Sequence, residues 1–336
     1  MAAEAAEAPE VAARLLEREA AAFDELGADL RAAPPRSLLT VARGSSDHAA
    51  HYMAYLVMAR LGRLVTSLPM SLVTLYRSQI ECEGLVALAF SQSGQSPDLV
   101  DPLRGFGERG ARTVAFVNEP ASPLALAAGR CVPLHAGAER SVAATKSFIA
   151  QLVAGAALVA AWQRDANFAT ALQALPAVLA QAGRQDWSRA VAALQCAHQL
   201  YVIGRGTGLA VAMEAALKFK EVCGLHAEAY SGAEVQHGPM ALVEPGFPLL
   251  VLAPAGPAQA GLLMLAAQMR ERGARVLLAA PPGTPGAELP LAGSGHVDLD
   301  PISTVGSFYG MVEALARARG LDPDAPRHLN KVTRTL

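Results

Sequence analysis

Residues 37–62 read SLLTVARGSSDHAAHYMAYLVMARLG, and their order decides the fold. The short run Leu38–Val41 reads as a strand and Gly44 as a turn. The Ala, Met, Leu and Val residues that recur as far as Leu61 read as a helix. Residues 84–110, GLVALAFSQSGQSPDLVDPLRGFGERG, repeat that plan. ARTVAFVNEP at 111–120 and RCVPLHAG at 130–137 supply two further short strands, and a long helix is predicted from about Ala144 to Arg164. Short apolar runs separated by helices indicate a parallel sheet covered on both faces.

The same order then returns. HQLYVIGRGTGLAVAMEAALKFKEV at 198–222 matches the first unit, with Arg43-Gly44-Ser45 aligned to Arg205-Gly206-Thr207, 162 residues later. LLVLAPAGPAQAG at 249–261 matches the second, Ser91 aligning with Ala253 at the same offset. GARVLLAAPPG at 273–283 echoes GARTVAFVNEP at an offset of 163. A period this constant predicts two tandem α/β domains, each a Rossmann-like three-layer αβα sandwich around a parallel sheet. The expected boundaries are an N-terminal helix at 1–34, a first domain at 35–165, a linker helix at 166–195, a second domain at 196–322 and a C-terminal tail at 323–336. The N-terminal helix rests on Val11, Leu15, Leu16, Phe23, Leu26 and Leu30, and Pro34-Pro35 ends it.

Composition narrows the function. The 336 residues are 52% hydrophobic and 17% charged, which suits packed domains rather than disorder. A formal net charge of −2 provides no basic field for nucleic acid or an anionic membrane, so any bound phosphate must be held locally. Cys82, Cys131, Cys196 and Cys223 lie far apart, as expected of reduced thiols in a cytoplasmic protein. The acidic N-terminus is unlike a signal peptide, and Phe148–Trp162 is too short for a membrane span. His48 and His51 have no third ligand at zinc-like spacing and read as ordinary helix residues, so no metal is expected.

Two stretches carry candidate chemistry. In the first domain, Ser91, Gln92, Ser93 and Ser96 surround Gly94 where a strand runs into a helix, and Ser45 and Ser46 follow the neighbouring strand. Hydroxyls and helix N-terminal amides can converge on a phosphate there, although serine and glycine also serve simply as helix caps. The second domain has APAGPA at the equivalent turn and lacks those hydroxyls. Its own chemistry lies at 212–239, where Glu214, Lys218 and Glu221 share one helix face at i, i+4 and i+7. That spacing also describes a solvated salt-bridge ladder. The apolar helix around it and the loaded segment HAEAYSGAEVQHGP that follows favour an active site.

These motifs resemble the sugar isomerase (SIS) family over about residues 35–336. SQSGQSPD, VAATKS at 142–147, the ALKFKEV helix, HAEAYSGAEVQHGP and the closing PRHLNKVTRTL carry the resemblance. Within the family they are similar to the isomerase half of glucosamine-6-phosphate synthase, and more closely to stand-alone SIS-type glucosamine-6-phosphate deaminases. Met1 is followed by Ala2 rather than a nucleophilic cysteine, so a glutaminase half is not expected.

The resemblance implies conversion of glucosamine 6-phosphate and water to fructose 6-phosphate and ammonia, without a cofactor, by a homodimer. It implies that Ser45, Ser46, Ser91, Gln92, Ser93 and Ser96 hold the phosphate and that Val142 lines the sugar. It implies Glu221 as the base between C1 and C2, Lys218 as its assistant at a sugar oxygen, and Lys331 at the open-chain carbonyl. His237 is implied as the ring-opening group, donated across the dimer interface, with Glu214 and Glu228 in support. Arg43 and Gln236 depart from the synthase pattern. They leave a synthase-like aminotransferase or isomerase, or a fructosamine-6-phosphate deglycase, as alternatives. A non-catalytic sugar-phosphate sensor is disfavoured by the retained Lys218, Glu221, His237 and Lys331.

Overall fold

The computed structural model describes residues 1–331; Val332–Leu336, which include most of the KVTRTL ending, lie outside the described residues. The chain opens with helices α1 (Ala2–Ala6), α2 (Ala8–Arg18) and α3 (Ala20–Ala32). The helix expected across 10–31 is thus divided at Glu19. The carboxylate of Glu19 meets His135 Nε2 at 2.6 Å, while Arg14 donates to the His135 carbonyl, so this break holds the loop that leaves the sheet.

The first sheet is built from β1 (Ser37–Val41), β2 (Val65–Ser67), β3 (Leu85–Ser91), β4 (Arg112–Val117) and β5 (Arg130–Pro133). Between and after its strands come α4 (Ser45–Leu61), α5 (Ser71–Thr74), α6 (Pro97–Glu108), α7 (Pro123–Ala127) and α8 (Lys146–Gln163). All its pairings are parallel, in the order β2-β1-β3-β4-β5. β3 is buried from Val86 to Ser91, as a strand covered on both faces must be. One face, with Leu39, Val41, Ala87 and Ala89, packs on Leu99, Leu103 and Phe106 of α6. On the other, Phe116 stacks between Phe90 and Phe23 of α3, and α8 packs against α3 and α4.

After α9 (Ala166–Ala182) and α10 (Ser188–Leu194), the second sheet repeats the plan with β6 (Gln199–Gly204), α11 (Leu209–Cys223), β7 (His226–Ser231), β8 (Pro248–Leu252), α12 (Gln259–Glu271), β9 (Arg275–Ala280), β10 (Leu289–Pro290) and α13 (Asp300–Ala318). Its order, β7-β6-β8-β9-β10, is that of the first sheet. In each sheet the order reverses between the first and third strands, and open α/β sheets bind ligands outside the carboxyl ends of such a pair.

By its internal contacts the chain divides into two compact units, each assembled from more than one stretch of sequence. A leading unit holds Glu10–Glu139, Lys146–Gln173 and, of the described tail, Asn330 and Lys331. A trailing unit holds Met1–Pro9, Arg140–Thr145 and Ala174–Leu329. Residues 1–9 therefore belong with the second sheet, where α1 packs on α13 and the Glu4 carboxylate accepts from the Arg140 and Ser141 amides. No helix among the described residues is long and apolar enough to cross a membrane.

Candidate active site

In the leading unit, β1 and β3 are neighbours, with Val41 in register with Ala89, so the turns that follow them leave the same end of the sheet. Gly44 caps α4 at φ 55°, which places Ser45 and Ser46 in its first turn. Ser96 precedes Pro97 at the start of α6. First-turn amides point out along the helix axis and favour an anion. The hydroxyls between them are ordered by the turn itself. Ser91 Oγ accepts from the Gly94 amide at 3.0 Å, and Ser93 Oγ accepts from the Gln95 amide at 3.3 Å. A hydroxyl that accepts through a lone pair still has its proton to donate. These serines therefore shape the turn and remain donors to a ligand. Gln92 is half-buried beside them.

Gly94 is required here on two counts. Its φ of +64° is a left-handed conformation, and a Cβ would fall 2.1 Å from Ser122 Oγ. That close approach seats the SQSG turn on the start of α7, where Ser122 caps the helix by accepting from the Ala125 amide.

Arg43 and Asp98 tie the two turns together, with Arg43 Nε 2.9 Å from Asp98 Oδ2. Sequence reading noted Arg43 only as a departure and gave Asp98 no role, because the two lie 55 residues apart. Lys331, placed by resemblance at a sugar carbonyl, has its Nζ 3.2 Å from Glu139 Oε2. The same oxygen accepts from Ser147 Oγ at 2.6 Å, which anchors the start of α8. Glu139 was also missed, since no local pattern marks it.

In the trailing unit, α11 packs on β6, β7 and α13. Lys218 Nζ lies 2.6 Å from Glu221 Oε2 and 3.1 Å from Glu214 Oε1. Tyr309 on α13 donates to Glu214 Oε1 at 3.3 Å. The side chains of Lys218 and Glu214 are 0% exposed, whereas that of Glu221 is 22% exposed. This is no solvated ladder. Burial by itself lowers a lysine pKa, but the Glu214 and Glu221 carboxylates and their hydrogen bonds outweigh it, and Lys218 is held above its ordinary value. The triad therefore presents one carboxylate, Glu221, backed by a buried cation. Lys218 is enclosed together with the two carboxylates it contacts.

His237 ends a 3-10 turn, Glu234–His237, with an exposed side chain. Glu228 is not brought to the α11 triad. It lies on β7 in register with Tyr201, whose side chain packs in the core beneath α12, and its carboxylate accepts from Tyr230. That bond, with burial and the nearby charge, pushes the Tyr230 phenol up to about 12. Val142 is half-buried in the trailing unit's 140–145 segment, where its amide donates to the Asp324 carbonyl at 3.2 Å. Among the described residues no cluster of three or more His, Cys, Asp or Glu side chains is arranged to hold a metal ion.

A family model described as the SIS domain matches residues 33–161 and 193–281. The chain is 37% identical over 319 residues to glutamine–fructose-6-phosphate aminotransferase (isomerizing) of Aeropyrum pernix, covering 88% of this chain and 50% of that one. The Thermus thermophilus enzyme of that name is 32% identical over 333 residues, covering 94% and 54%. The chain thus spans about half the length of the curated relatives it matches. Among solved structures, a provisionally named phosphosugar isomerase from Silicibacter pomeroyi superposes with a TM-score of 0.91 at 45% identity, over 96% of this chain and 99% of the other. Glucosamine-6-phosphate deaminase of Thermotoga maritima shares the fold, with a TM-score of 0.77 at 22% identity over 99% and 98%. The duplicated sheet order, the motifs at its switch points and these similarities identify the chain as a member of the SIS domain family, related to the isomerase part of the aminotransferases.

Proposed function

We propose that the chain is a phosphosugar isomerase-type enzyme that deaminates an amino-sugar phosphate, taking glucosamine 6-phosphate and water to fructose 6-phosphate and ammonia. The observation that carries this reading is the α11 triad: a half-buried carboxylate, Glu221, held 2.6 Å from a lysine that solvent cannot reach. A fold has little structural reason to bury a lysine and a carboxylate and to set a second carboxylate beside them unless they are used, since desolvation offsets much of their attraction.

The chemistry asks for one mobile base. Ring opening, assigned to His237, exposes the C1 aldehyde. Glu221 takes the proton from C2, and the bonding pair forms an enolamine across C1 and C2. The carbonyl pair moves to O1, which takes up a proton; return of the first proton to C1 with loss of one from the nitrogen leaves a C2 imine, and water hydrolyses it to the ketone and ammonia. Lys331 supplies a cation for the open-chain oxygen, and the serine turn of the leading unit holds the phosphate. Lys218 holds Glu221 in place. We further propose that the enzyme works as a homodimer in the cytoplasm, with His237 serving the partner's site.

A synthase-like reaction, adding ammonia to fructose 6-phosphate, is the second reading; the 37% identity to an aminotransferase favours it. Both are tested by assaying purified protein on glucosamine, galactosamine and fructosamine 6-phosphates for ammonia release, and on fructose 6-phosphate with ammonium for the reverse. Ammonia from glucosamine 6-phosphate supports the deaminase. Turnover only towards the amino sugar supports the synthase-like reading, and no turnover of any of them overturns both.

A further inference from the structure

We propose that Arg43 is a phosphate-recognition residue, held through Nε by Asp98 so that the Nη edge of its guanidinium is offered to a dianionic phosphate ester. This rests on the reading of the serine turns as the phosphate site and specifies how that site balances charge.

The argument begins with the charges the cradle contains. Residues 41–48 and 91–98, the two turns with their first helical residues, carry two carboxylates, Asp47 and Asp98, and a single Arg or Lys, Arg43. Asp98 is buried in the first turn of α6, where an incoming phosphate must approach the helix amides. A dianion placed there without a neighbouring cation meets a fixed negative charge in a poorly screened setting. Arg43 answers both demands. Its Nε reaches Asp98 at 2.9 Å, yet its side chain is 53% exposed, so the guanidinium lies across the gap between the two turns with part of its surface open. Guanidinium is the group suited to this task, because its planar fork can bond a carboxylate along one edge and a phosphate along another.

The second half of the chain supports the pairing from a different direction. Its equivalent turn keeps an arginine, Arg205, but the position equivalent to Asp98 is Ala260, and Ser91, Ser93 and Ser96 are replaced by Ala253, Ala255 and Ala258. The carboxylate and the three hydroxyls of the SQSGQSPD stretch are present together in one repeat and absent together from the other. A carboxylate that served only to cap α6 would have no reason to follow the hydroxyls.

The test is binding rather than turnover. Inorganic phosphate and fructose 6-phosphate are titrated by calorimetry into wild type, Arg43→Ala, Arg43→Lys and Arg43→Ala/Asp98→Asn, with circular dichroism and melting confirming folded protein. Arg43→Ala is expected to weaken both ligands about 10- to 100-fold and to flatten the salt dependence of binding. Arg43→Lys is expected to fall between, since an ammonium reaches the carboxylate or the phosphate but lacks the fork for both. The double variant is expected to stay weak. If it binds as wild type does, Arg43 merely neutralises Asp98 and direct recognition is overturned; unchanged affinity in Arg43→Ala overturns it as well. If wild type itself binds neither ligand, the phosphate reading of the cradle fails, whatever Arg43 does.

Discussion

Replacing Lys218 with leucine removes the cation from a cluster whose other wholly buried member, Glu214, accepts a hydrogen bond from the neutral Tyr309 hydroxyl. Contacts of 3.1 and 2.6 Å correspond to gross attractions of about 5 and 6 kcal/mol at an effective dielectric constant of ~20. Desolvating three charges and the repulsion between the two carboxylates offset much of that. Breaking a buried pair from one side typically costs about 3–5 kcal/mol. For a unit of this size each kcal/mol moves the melting temperature by about 2–4 °C, so Lys218→Leu is expected to lower it by about 6–20 °C. Glu214→Gln in the same protein removes the stranded charge and is expected to recover most of the loss. The pH dependence supplies an independent check. A lysine whose folded pKa is raised adds stability that is fully present below its unfolded value of 10.5 and is lost as pH rises through the folded value. Wild type and Lys218→Leu should therefore differ most at neutral pH and converge only in strong alkali. Differential scanning calorimetry across pH 6 to 11 tests this. A drop of less than about 3 °C, or no recovery in the double variant, would refute the account of the triad as a buried, mutually dependent unit.

Three further outcomes concern activity. Glu221→Gln keeps the shape and removes the base, so kcat for ammonia release should fall about 10²- to 10⁴-fold with KM little altered; an unimpaired rate would remove Glu221 from the chemistry. Ser93→Ala deletes one donor of the cradle and should act mainly on KM, by about 10-fold, while a pure kcat effect would count against a phosphate role. Mixing inactive His237→Ala and Glu221→Gln proteins should recover roughly a quarter of wild-type activity if subunits pair at random and His237 crosses the interface. Verified hybrids with no activity would place the complete site in one chain.

What the sequence disclosed and what it withheld follow from the range of each interaction. The apolar runs of the strands are local, and an offset of 162 carries the same 2-1-3-4-5 plan into both sheets, so the fold was legible. The serine turn was legible too, because Gly94 and the residues around it bond within three positions. The separation of Glu214, Lys218 and Glu221 was plain, but spacing alone does not distinguish a buried triad from a surface ladder. The distinction comes from α13, whose Tyr309 lies 95 residues away. Arg43–Asp98 and Glu139–Lys331 escaped for the same reason, joined across 55 and 192 residues. The placement of residues 1–9 with the second sheet depends on Glu4 finding Arg140 and Ser141, and a helical pattern does not reveal its partner.

The duplication itself separates what the fold needs from what the chemistry needs. The positions of α4 that correspond to Glu214, Lys218 and Glu221 hold Tyr52, Leu56 and Ala59, and the first two are completely buried. The same helix, on the same strand order, is therefore built in one half with an aromatic and an aliphatic side chain where the other half buries ions. Apolar replacement of a buried ion cluster is commonly neutral or stabilising, so stability does not account for the charges in α11. The turn before α6 diverges in the opposite sense, its Ser91, Ser93 and Ser96 standing where the second half has Ala253, Ala255 and Ala258. The ion triad and the serine turn thus each occur in one copy only of a plan that both halves share, so neither is something the fold itself requires.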